Sequence, residues 1–243
     1  MADLDPDFET APDKASKAEP PVWPYVVPLA GFLALTALEG YLPTTGGGLP
    51  SPTWYPIGYA LKVVAVAALL WHCRVIFRDL RPWPGPGALA LAAVVGLLVA
   101  VGWVGLDGHY PAIPYLGGKR TEFNPLTLPA AARVGFVAVR MLGLVVLVPL
   151  IEELFYRSFL MRWALDPIYT RVPIGRVTPL GLAVTTGVFA CSHPEWLPAI
   201  LTGLAWGWLV GRTGSVLACV VSHAVANLAV GVYVIGWHAW RFW

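Results

Sequence analysis

The chain is expected to fold as an all-α bundle of transmembrane helices, with about seven spans within a range of six to eight, and three observations predict it. Hydrophobic residues make up 57% of the 243 residues and charged ones only 12%, with a mean hydropathy of +0.66. Soluble domains carry about 25% charged residues. The apolar residues collect into runs near the roughly 20 residues that cross a bilayer, at about 23–42, 57–77, 87–106, 130–161, 179–193, 197–210 and 215–237. Turn-forming and charged stretches separate the runs, most visibly the Pro/Gly-rich loop at 107–129, which is expected to form an external cap or re-entrant stretch.

Residues 1–22, with six acidic side chains and several prolines, hold too little apolar content to pack and are expected to be a disordered tail. Residues 23–243 are then a single transmembrane domain, with a core of chemistry at about 133–230. No basic stretch precedes the first apolar run, so that run is expected to act as an uncleaved insertion signal. The turn at 44–53 holds no Lys or Arg, whereas the following loop holds Arg74, Arg78 and Arg81, and later loops Arg162, Arg171, Arg176 and Arg212. By the positive-inside rule this places the N-terminus in the cytoplasm of an inner (plasma) membrane, with Lys119 and Arg120 outvoted. Trp and Tyr near segment ends match interfacial belts.

A net charge of +2 with scattered basic residues implies no nucleic-acid partner. Cys73, Cys191 and Cys219 lie in or beside apolar runs without metal-binding spacing and are expected to pack as small apolar groups.

Against this background the fourth run holds Glu152, Glu153 and Arg157, and later runs hold His193 and His223. Charges at membrane depth are costly and point to function. A helix continuing through this run, kinked near Pro149, places Glu153 and Arg157 on one face as a pair and leaves Glu152, rotated by about 100°, available for chemistry. Phe189 lies one turn before His193, and Pro194 ends regular helix there, with Glu195 an alternative partner for that imidazole. His223 and Asn227, also at i,i+4, present a donor pair suited to an oxyanion. Peptide hydrolysis needs a base at attack and a proton returned to the leaving amine, and a carboxylate kept from water can do both. Depth counting sets His193 deeper than Glu152 and His223, which requires a tilted or broken fifth span.

Three motifs in order, Glu-Glu-x-x-x-Arg, Phe-x-x-x-His and His-x-x-x-Asn, resemble the CAAX prenyl protease and bacteriocin-processing family, the CPBP or Abi intramembrane proteases. The resemblance covers about 133–227. Residues 54–78 and 106–111 look like a branch that accompanies exosortase protein-sorting systems. The resemblance implies a glutamate-type intramembrane endopeptidase: Glu152 and His193 activate water, His223 and Asn227 hold the oxyanion, and Glu153 with Arg157 braces the helix. It implies a membrane-anchored protein or peptide substrate and no cofactor. The Pro194-Glu195 pair departs from the family pattern. Two other readings remain open at this stage, a zinc protease with Glu152, His193 and His223 as ligands, and a non-catalytic membrane protein that kept the fold.

Overall fold

A computed structural model describes residues 21–42, 54–113 and 122–243. Most of the expected N-terminal tail, the turn at 44–53, and Lys119 and Arg120 lie outside these residues. The described chain is all-helical. Its long helices are α1 (Trp23–Glu39), α2 (Trp54–His72), α3 (Pro86–Gly105), α4 (Ala130–Trp163), α5 (Pro179–Cys191), α6 (Trp196–Thr213) and α7 (Val216–Trp237). Each coincides with one expected run. By length and composition α2, α3, α4 and α7 can each cross a membrane, and α1 and α5 are shorter apolar helices.

Local chemistry explains most boundaries. Thr178 caps α5 by accepting the Gly181 N–H at 3.2 Å, with Pro179 pre-set in the first turn. Gly214 ends α6 in the left-handed conformation, with φ 62°, which costs glycine nothing. Ser215 then caps α7 through the Ala218 N–H at 3.2 Å. The second run is shorter than expected: α2 ends at His72, and Arg74–Leu80 continues as a 3-10 turn before α3.

Successive helices run back and forth, so the start of α1 meets the end of α2, with the Trp23 and His72 rings 5.8 Å apart. The pairs α3/α7 and α5/α6 pack closely because small residues sit between them. A Cβ at Gly96 would stand 2.3 Å from the Ser222 carbonyl oxygen, and one at Gly203 would press on Thr186 at 2.9 Å. Apolar helices in lipid gain little from burial against one another, so close approach through small residues supplies the dispersion contact. α4 runs through the middle of the bundle, and its second half is buried on nearly all sides.

Candidate active site

α4 is not a regular helix, and its irregularities flank the two glutamates. Gly143–Leu147 and Leu154–Leu160 are π-helical, with Val148–Glu153 an α-helical turn between them. Pro149 accounts for the first. The Val148 N–H bonds the Gly143 carbonyl, and Pro149 has no N–H, so the Leu144 carbonyl is left without a donor from its own helix. Asn227 on α7 supplies one, with its Nδ2 donating to the Leu144 oxygen at 2.7 Å. Single π turns of this kind recur at functional sites because they rotate the following side chains without ending the helix.

Glu153 is fully buried and is the hub of the site. Its Oε1 accepts from His223 Nδ1 at 2.9 Å and from Arg157 Nη1 at 3.3 Å, while Arg157 Nε stands 3.2 Å from Oε2. The helix-face pairing expected for Glu153 and Arg157 is present, with His223 as a third member. The Arg157 guanidinium lies 5.2–5.5 Å from the ring centres of Tyr156, Phe189 and Trp206, which replace water around a buried cation. Trp206 also stacks on the His223 imidazole at 4.2 Å and donates its indole N–H to Ser222 Oγ at 3.0 Å. With Nδ1 held by Glu153 and the ring held by Trp206, His223 has one orientation.

Glu152 makes no hydrogen bond or ion pair with this hub among the described residues. It is buried, and among the described residues its Oε2 has no hydrogen-bond partner. Its Coulombic neighbours include Glu153 and Arg157. Carboxylate oxygens at such depth ordinarily have a donor; Glu153 Oε2 also lacks one but faces Arg157 Nε at 3.2 Å.

His193 stands just beyond the end of α5, which stops at Cys191. The Ser192 and His193 N–H groups bond the carbonyls three residues back, at 3.2 Å each, so regular helix stops just before Pro194. His193 Nδ1 lies 2.7 Å from the Phe189 carbonyl oxygen and 3.1 Å from Ser192 Oγ. A proton on Nδ1 donated to that carbonyl leaves the lone pair on Nε2. The Phe189 ring lies tilted against the imidazole at 4.3 Å and the Trp103 edge meets it at 5.6 Å. Ser192 Oγ also lies 3.3 Å from the Tyr156 hydroxyl, which ties the His193 turn to α4 one turn after Glu152. Phe189 thus serves both halves of the site, touching His193 and Arg157.

The structure brings Glu153, Arg157 and His223 into direct contact and seats Asn227 against α4 beside them. Glu195 precedes α6, whose Trp196 donates its indole N–H to the Pro111 carbonyl at 2.8 Å. Trp206, Ser192 and Tyr156 were not singled out by sequence reasoning. Tyr156 and Ser192 each adjoin a motif residue, but Trp206 is one of 12 tryptophans and carries no local signal. Among the described residues no three His, Cys, Asp or Glu side chains are grouped so as to hold a metal ion.

Residues 134–229 match the family model described as Type II CAAX prenyl endopeptidase Rce1-like. The match spans less than half of the 243 residues, from α4 to most of α7, and contains all seven motif residues. No curated protein and no solved structure matches the chain.

Proposed function

With residues 134–229 matching the type II CAAX prenyl endopeptidase Rce1-like family, we propose that the protein is a glutamate-type intramembrane endopeptidase that hydrolyses a peptide bond of a membrane-associated protein. The observation that carries this reading is the buried Glu152 oxygen without a hydrogen-bond partner or a cation against it, set beside Glu153, which is held by Arg157 and His223.

In this mechanism Glu152, with His193 Nε2 beside the attacking water, removes a water proton as the oxygen adds to the scissile carbonyl carbon. The carbonyl oxygen becomes an oxyanion that receives hydrogen bonds from His223 and Asn227. Asn227 keeps one amide N–H for this after giving the other to Leu144, and His223 turns Nε2 to the oxyanion while Glu153 holds its Nδ1 side. The tetrahedral centre collapses, the C–N bond breaks, and Glu152 returns its proton to the leaving amine. Arg157 acts through Glu153 and does not touch the substrate. The topology that suits this chemistry has the N-terminus in the cytoplasm of the plasma membrane, because the basic loops then lie at the end of the bundle nearer to Glu152.

Glu152→Gln preserves shape and removes the basic oxygen. Turnover of the purified protein on membrane-anchored peptides bearing a fluorophore and quencher should drop by about 10²–10⁴-fold, with an unchanged melting temperature. Near-normal turnover by the variant would overturn the assignment. A bound equivalent of zinc in the wild type, lost in His193→Ala and His223→Ala alike, would replace the metal-free mechanism with a zinc-dependent one.

A further inference from the structure

The segment between α2 and α3 takes no part in this chemistry, yet it is unusual for a connecting turn. The ends of α2, α4 and α6 and the starts of α3, α5 and α7 all lie at this end of the bundle, so the segment sits at the membrane boundary. It exposes Arg74, Arg78 and Arg81 beside Trp71, Val75 and Trp83, the last of them 74% exposed. Between it and the start of α7 lies an open cavity of about 840 Å³ lined by Phe77, Leu80, Arg81, Pro82, Trp83 and Leu217. That volume falls within the roughly 300–1,000 Å³ of small-ligand pockets.

The charges around it are unequal. Among the described residues Arg74 and Arg81 have no ion-pair partner, and Arg78 shares Asp79, at 3.6 Å, with Arg162, at 2.9 Å. Apolar walls with a cationic rim and a tryptophan at headgroup level match an amphiphile whose head is anionic. A peptide would find little to hydrogen-bond there besides Arg81.

We propose that this cavity seats one anionic phospholipid of the surrounding leaflet, with an acyl chain between Phe77, Trp83 and Leu217 and its phosphate on Arg81 and Arg78. The segment, though not the cavity lining, also touches α4. Asp79, on the same segment, accepts from the Tyr25 hydroxyl at 2.6 Å and from Arg162, and it bonds Ser158, the residue after Arg157. A lipid that fixes the segment fixes the end of the helix that carries the glutamates.

Native mass spectrometry of the detergent-purified full chain, with phosphatidylglycerol or phosphatidylcholine added, tests this. The wild type should retain phosphatidylglycerol in preference to phosphatidylcholine. R78A/R81A should lose that preference by about five-fold per arginine, and R171A/R176A, which removes two basic residues from another loop at the same end, should keep it. Trp83→Ala should weaken retention of both lipids. Equal retention of the two lipids by the wild type would overturn the proposal, as would an R78A/R81A variant that behaves like wild type or an R171A/R176A variant that loses as much. If Arg81→Ala instead raises KM for a membrane-anchored peptide while phosphatidylglycerol retention is unchanged, the occupant is a substrate segment and the lipid assignment fails. The readout is independent of Glu152, so an inactive Glu152→Gln protein serves equally well.

Discussion

α4 carries two buried charge networks, one at Arg140 and one at Glu153, about 20 Å apart along the helix at about 1.5 Å per residue. Around Arg140 the cations outnumber the carboxylates. Lys62 pairs with buried Glu39, and Arg140 donates Nη1 to the Tyr55 hydroxyl at 2.9 Å while resting on the rings of Tyr59 and Trp243 at 4.7 and 5.3 Å. The surplus positive charge faces aromatic rings. Arg140 Nε also lacks a hydrogen-bond acceptor, but the ring faces take its place. Around Glu153 the balance is reversed. Arg157 and His223 are both committed to one carboxylate, and a second, Glu152, retains an oxygen that no protein group satisfies. No ring face compensates a buried negative charge, because the face itself is negative. Burial of charge alone therefore does not identify a site. A surplus of the sign that aromatic packing cannot absorb does.

The largest effect expected from breaking this comparison is at its hub. Glu153→Gln strands Arg157 and unhooks His223, at a cost of about 3–5 kcal/mol for removing one partner of a buried pair. Its signature is a lower melting temperature in detergent together with lost turnover. A variant as stable as wild type would show that Glu153 does not hold the site together.

The other network should respond in stability only. Glu39→Gln leaves Lys62 buried beside a neutral group, again at about 3–5 kcal/mol, but turnover per folded molecule should persist. Removing both charges with E39L/K62M should bring stability back to within about 1 kcal/mol of wild type or above it, since apolar replacements of a buried pair are often neutral or stabilising. Loss of turnover in a well-folded E39L/K62M protein would erase the distinction between the two networks.

What the sequence revealed, and what it hid, follows the range of the interactions. All seven long helices were legible, because a run of apolar residues is a local property, and so was the Glu153–Arg157 pair, because i,i+4 spacing is local too. The helix end before His193 followed from Pro194. The contact of His223 with Glu153 spans 70 residues and that of Asn227 with Leu144 spans 83, so neither has a sequence signal beyond the motifs themselves. The Glu39–Lys62–Arg140 network escaped notice for the same reason, its members being single charges on three different helices. Asp79 was hidden differently. It lies in a loop with Arg74, Arg78 and Arg81 and reads as one charge among several, although Tyr25, Ser158 and Arg162 all converge on it.

The smallest expected effect is at Asn227, and it separates helix repair from chemistry. Leu144 lacks a donor because Val148 bonds Gly143 and Pro149 has no N–H, so Asn227→Ala should cost about 1 kcal/mol for one unsatisfied, partly buried carbonyl. It should also lower turnover if Asn227 donates to the oxyanion. Pro149→Ala restores an N–H where α4 can use it, so adding it to Asn227→Ala should recover most of the lost stability, a coupling that independent sites would not show. Turnover should stay low in the double variant, since Pro149→Ala supplies nothing to the oxyanion. Full recovery of both stability and turnover would mean that Asn227 serves only to complete α4, while recovery of neither would mean that the Leu144 carbonyl is not what Asn227 satisfies.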